Sequence, residues 1–129
     1  MEKGIKNRIE LVVEEKLTAK QMKSGTLDVF ATPAMIALIE ETAWRSIAPC
    51  LEEGQGTVGT LLQIEHLAPT PLGMKVWCET ELVEVDGRKL RFEAAVYDEC
   101  GLVGKGVHER FIINNEKFQS KANAKGKVS

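Results

Sequence analysis

The chain has 129 residues, with 17 Lys and Arg against 19 Asp and Glu, for a formal net charge of −2. That is the size of one domain, large enough to bury a core without disulfide or metal staples, and too near neutral for a nucleic-acid footprint. Residues 34–39 form the longest apolar run, far short of the roughly 20 residues a membrane span needs, and the N-terminus lacks the apolar stretch of a secretory signal. Cys50, Cys78 and Cys100 are an odd number spaced far apart, which fits reduced thiols and leads to the expectation of a soluble, cytoplasmic protein.

Residues 8–14 (RIELVVE) are rich in apolar and β-branched types and predict a first strand. Residues 16–23 could form a helical turn before the loop at Ser24-Gly25-Thr26. Thr32-Pro33 predicts a helix start, with Thr32 as N-cap and Pro33 at the first helical position. Good helix formers continue to about Ala48, and Pro49, Gly54 and Gly56 end the segment. The period then changes to two. Val58, Thr60, Leu62, Ile64 and His66 are expected on one strand face, with Leu61, Gln63, Glu65 and Leu67 on the other. A strand over 74–85, the hairpin signal Asp86-Gly87, a returning strand over 88–98 and a last strand over 102–113 complete the order. Gly104 and Gly106 in the last strand suggest bulges or close backbone approach. One helix and an antiparallel sheet make an α+β architecture, and a sheet curled around one central helix is the hotdog fold. The domain is expected over residues 1–113, and the Lys-, Asn- and Ser-rich residues 114–129 read as a polar tail.

On a helical wheel, Glu41, Thr42, Arg45 and Ser46 form a polar arc, while Ile36, Ala37, Ile39, Ala43, Trp44, Ile47 and Ala48 form an apolar one. Glu40 falls inside the apolar arc. Acidic side chains are almost never buried without a partner, so Glu40 is paired, protonated or facing a cleft, unless it sits at a helix edge opened by local geometry. In a partly apolar cleft its pKa would rise toward neutrality and suit a general base. His66 is expected to point into the same interior. Thr32 is sufficiently explained as a cap, yet a hydroxyl at a helix N-terminus could also serve a developing oxyanion. His108 and Arg110 share a face of the last strand, by default a solvated edge and alternatively an anion contact. Gly59, inside a strand, marks a bulge or a close approach. Cysteine and histidine spacings give no metal site.

Phe30-Ala31-Thr32-Pro33-Ala34-Met35, Glu40, Gly59-Thr60, the segment from His66 to Gly73, and Gly106-Val107-His108-Glu109-Arg110 together resemble the fluoroacetyl-CoA thioesterase-like branch of the hotdog thioesterases. The resemblance covers residues 28–113. It implies a homodimeric enzyme that hydrolyses a short acyl-CoA, with Thr32, Glu40 and His66 catalytic and Gly59 and Arg110 in contact with substrate. Coenzyme A would then be part of the substrate, and no separate cofactor or metal is expected. Where the fluoroacetyl-selective type carries bulky aromatics before the Thr, this chain has Lys23-Ser24-Gly25-Thr26-Leu27. A hotdog hydratase or dehydratase acting on acyl-thioesters, and a non-catalytic acyl-CoA-binding module, are the alternatives. The first would show no thiol release, the second no turnover.

Overall fold

A computed structural model describes residues 1–126. Five strands form one antiparallel sheet: β1 (Lys6–Val12), β2 (Gln55–His66), β3 (Lys75–Asp86), β4 (Lys89–Asp98) and β5 (Gly101–Asn114), in the spatial order β1-β3-β4-β5-β2. The helices are a short α1 (Ala19–Met22), the central α2 (Thr32–Ile47) and a C-terminal α3 (Asn115–Lys125). The hotdog arrangement expected from sequence is the one observed.

The sheet wraps α2 because its inner faces alternate cleanly. Val76, Cys78 and Leu82 of β3 and Leu90, Phe92, Ala94 and Val96 of β4 are all buried, as period-2 strands with one dry face must be. Met35, Leu38 and Ile39 of α2 pack into one core cluster with Val76, Cys78 and Val96, and Ala43 and Ile47 pack into a second with Leu82, Leu90 and Phe92. Each large side chain of this helix face stabilises the fold by about 1.5–3 kcal/mol. Gly104 lets α2 close on β5, since a Cβ there would lie 2.6 Å from Met35 Sδ. β3 and β4 are joined by the two-residue turn Gly87-Arg88, between the paired Asp86 and Lys89. Gly87, at φ +60°, supplies the left-handed conformation such a turn requires.

Five sequence expectations need correction. The first strand begins and ends two residues earlier than predicted, because the chain turns into a 3-10 segment at Glu15–Leu17. Ala31, not Thr32, is the N-cap of α2; it makes no side-chain cap bond, and Thr32 is already helical. The two-face assignment of β2 fails at its middle. The register against β5 shifts between Gly59 and Leu61, so Thr60 is bulged. A bulge reverses the alternation: Thr57 and Gly59 face α2 before it, and Ile64 and His66 do so after it. Finally, residues 114–125 do not read as a helix by hydrophobic pattern, yet Asn114 caps Lys117 N–H at 2.9 Å and starts α3.

The helical wheel was also rotated. Ala34, Met35, Leu38, Ile39, Thr42, Ala43 and Ile47 are the buried positions of α2. Thr42, expected on the polar arc, is fully buried and donates its hydroxyl to Leu38 O at 2.7 Å. Ala37, Trp44 and Ala48 instead form an exposed apolar stripe. Glu40 therefore lies at the rim of the buried face, between the core and that stripe.

Candidate active site

The predicted site residues fall into two clusters along α2. The first is at its N-terminus, where Thr32 Oγ1 and His66 Nδ1 share a hydrogen bond of 2.8 Å. β2 ends at His66, and the exposed first turn of α2 presents Thr32 to it. The pair stands on the wall of a cavity of about 280 Å³, lined otherwise by Ala19, Ser24, Val29, Phe30, Leu67, Ala68 and Pro69. Burial lowers the His66 pKa from its ordinary value, opposed by the backbone of Ala68. The imidazole is thus held neutral and free to accept a proton. Pro33 has no N–H and Met35 N–H donates to Ala31 O at 3.0 Å, so the N–H groups of this first turn left without a side-chain partner are those of Thr32 and Ala34, at the helix end that favours negative charge.

The second cluster surrounds Glu40. Its Oε2 lies 3.4 Å from Arg110 Nη1, with the Arg110 side chain 7% exposed and that of Glu40 38% exposed. Arg110 Nε donates to Thr57 Oγ1 at 2.8 Å, Nη2 to Thr57 O at 2.9 Å, and Nη1 also to His108 Nε2 at 3.1 Å. His108 is completely buried, and its Nδ1 donates to Leu61 O at 2.8 Å. Gly59 makes room for all of this: a Cβ there would lie 2.8 Å from Glu40 Oε2 and 3.2 Å from His108 Cε1. The close approach expected at Gly59 is therefore to protein groups, the carboxylate above all.

Glu40 is thus the paired case. A guanidinium lies beside a carboxylate that water still reaches. Glu40 does not share one pocket with His66 in this chain. Eight residues of helix separate Thr32 from Glu40, a rise of about 12 Å. The solvated edge expected for His108 and Arg110 is also wrong: both are buried, and Arg110 pairs with the Glu40 carboxylate of the same chain. Sequence reasoning missed Thr57 altogether and the burial of His108. Thr57 was hidden by the bulge that reverses β2. His108 was legible in principle, since Ile112, on the same face of β5, packs into the second core cluster.

Comparison with known proteins assigns this geometry to a class. A variant of a fluoroacetyl-CoA thioesterase in complex with fluoroacetate superposes with a TM-score of 0.92 at 34% identity, covering 97% of this chain and 98% of that one. A second variant, in complex with acetyl-CoA, gives 0.93 at 34% identity with the same coverage. A thioesterase-superfamily protein of Thermus thermophilus gives 0.90 at 26% identity, over 98% of this chain and 93% of that one. The chain is a thioester hydrolase of the hotdog fold. A family model described as fluoroacetyl-CoA-specific thioesterase matches residues 13–116. The fluoroacetyl-CoA thioesterase of Streptantibioticus cattleyicolor is 41% identical over 98 residues, 76% of this chain and 70% of that protein. This chain belongs to that family. Among the described residues no helix is long and apolar enough to cross a membrane, and no group of three or more His, Cys, Asp or Glu is placed to hold a metal.

Proposed function

We propose that this protein hydrolyses a short-chain acyl-CoA to the free acid and coenzyme A, using Thr32, His66 and Glu40. The observation that carries this is the 2.8 Å hydrogen bond between Thr32 Oγ1 and His66 Nδ1 on the wall of a small, largely apolar cavity. A hydroxyl beside a neutral imidazole is the arrangement of an activated oxygen nucleophile and its base. His66 Nδ1 takes the proton of Thr32 Oγ1 as that oxygen attacks the thioester carbonyl. The proton returns to the departing sulfur as the C–S bond breaks, and water then cleaves the acyl ester. The uncapped first turn of α2 stabilises the oxyanion. Glu40, fixed by Arg110 with Gly59 leaving space for its carboxylate, manages the proton of the attacking water once a second copy of the chain brings the two clusters together. The 280 Å³ cavity suits an acyl group of few carbons, and Ser24 with Ala19 on its wall makes it tolerant of acyl groups besides fluoroacetyl. Coenzyme A is part of the substrate, and the route draws on no cofactor.

The working form in this proposal is a cytoplasmic two-fold homodimer. Strand β2 is a sheet edge of 12 residues, the kind of open ladder that folded proteins cover. Leu61 and Leu62 on it are 40% and 39% exposed, and Trp44 on the apolar stripe of α2 is 40% exposed. A second copy docked there would cover the edge and stripe and enclose Glu40, bringing the two clusters into one assembly. Thiol release from acetyl-, propionyl-, butyryl- and fluoroacetyl-CoA tests the reaction: turnover of the short chains is expected, abolished in Thr32→Ala and substantially kept in Thr32→Ser. Hydration of an enoyl-CoA without thiol release would favour a hydratase, and tight binding without turnover a binding module.

A further inference from the structure

Arg110 has five N–H donors, and the chain itself engages four of them. Nε and Nη2 go to Thr57 Oγ1 and O, and the two hydrogens of Nη1 go to His108 Nε2 and Glu40 Oε2. The tautomer of His108 follows from its partners. Leu61 O can only accept, so Nδ1 carries the hydrogen; the guanidinium can only donate, so Nε2 is the bare acceptor. A guanidinium is planar, and three fixed acceptors on two strands leave it one orientation, the one that aims Nη1 at Glu40.

We propose that His108 is a positioning residue: as the neutral tautomer, with Thr57, it clamps Arg110 so that Arg110 holds the Glu40 carboxylate in place for the reaction. This rests on the assignment of Glu40 to the chemistry, and deepens it. In this reading Arg110 acts on the reaction through Glu40. Protonating His108 would set Nε2–H against Nη1–H at 3.1 Å, two donors and two cations face to face. The clamp would open. The charged groups facing His108 are Arg110 on its own strand and Glu40 from α2; β4 presents the ring of Phe92, stacked at 6.1 Å, and β2 the carbonyl of Leu61. Burial and Arg110 lower the His108 pKa, which keeps the clamp closed at neutral pH, while Leu61 and Glu40 oppose them.

The test is steady-state kinetics with acetyl-CoA between pH 5 and 8, circular dichroism confirming the fold at each pH. His108→Leu fills the buried site but removes the acceptor, and should lower kcat by roughly 10–100-fold with KM within about twofold, since positioning of a proton-transfer group is what is lost. His108→Gln, which keeps an acceptor and a donor but does not titrate, should recover at least a third of kcat. It should also reduce the slope of log kcat/KM on the acid side from about two protons, His66 and His108 together, to about one. Thr57→Val, at a partly exposed position, should lower kcat about 3–10-fold in the same pattern and guards against failure of His108→Leu to fold. A rise in KM without loss of kcat in these variants would restore Arg110 as a substrate contact and overturn the clamp. So would a His108→Gln protein no better than His108→Leu, or with an unchanged acid slope. If Glu40→Gln stops turnover while the folded His108→Leu and Thr57→Val enzymes match wild type, the clamp alone fails. If Glu40→Gln turns over normally, the assignment of Glu40 fails, and the clamp with it.

Discussion

Glu40→Gln separates what the carboxylate does for the reaction from what it does for the fold. The amide keeps the volume and one acceptor oxygen, so Arg110 Nη1 retains a hydrogen-bond partner at Glu40's position but loses a counter-charge. Removing one member of a fully buried ion pair costs about 3–5 kcal/mol. Two features reduce that figure here. The Glu40 side chain is 38% exposed and the contact is 3.4 Å long, so water already screens the pair, and a screened pair contributes about 1 kcal/mol or less. On the other side, Arg110 stays buried with three neutral acceptors around it. A loss of about 1–2 kcal/mol lies between these bounds. That reverses the sign expected for a lone carboxylate in an apolar cleft, whose removal would leave stability unchanged or raised. The effect on kcat should be a fall of roughly 10²–10⁴-fold if Glu40 manages a proton in the reaction. Urea unfolding and thiol release from acetyl-CoA measure the two effects on one preparation. Glu41→Gln is the matched control, because Glu41 pairs with Arg45 at 2.8 Å on the solvated side of the same helix and should cost about 0.5 kcal/mol or less, with normal turnover. A Glu40→Gln protein with wild-type midpoint and wild-type kcat would refute both roles, and identical behaviour of the two variants would refute the placement of Glu40 at the rim of the core.

Because Ala31 is the cap, Thr32→Ala should cost only the hydrogen bond to His66, about 0.5–1 kcal/mol, while kcat falls steeply; Thr32→Ser should keep most activity, and a stable Thr32→Asp with normal turnover would remove Thr32 from the chemistry. Gly59→Ala would set a Cβ 2.8 Å from Glu40 Oε2, so kcat should drop at least tenfold with the displacement of the carboxylate; unchanged kcat would show that Glu40 need not be held where it is. His66 and His108 both have pKa values lowered by burial. The unfolded chain therefore takes up protons at these sites before the folded one does, and stability, full above about pH 6.5, should decline as pH falls below it. Urea midpoints at pH 7.5 and 5.5 check this, and equal values would count against it. Sedimentation at micromolar concentration should give a dimer; a fully active monomer would overturn the assembly proposed through β2.

The fold was legible wherever one periodicity ran unbroken. Leu90, Phe92, Ala94 and Val96 kept a period of two across β4, and every one of them is buried. Legibility failed where a single residue breaks the count. The bulge at Thr60 is one extra residue in β2, and composition does not distinguish a bulged threonine from a paired one. Yet it turns Thr57 and Gly59 toward α2 and so creates the socket for Arg110. The wheel failed for a different reason. Hydrophobicity marks what can be buried, not what this chain buries by itself, and Ala37, Trp44 and Ala48 widened the apolar arc although they face outward. Glu40 looked central because a second apolar surface adjoins the core along the same helix. Two apolar surfaces on one helix, with an ion-paired carboxylate on the seam between them, call for two different partners. The sheet supplies the first; the exposed stripe beside an open strand edge is the physical reason to expect the second from another copy of the chain.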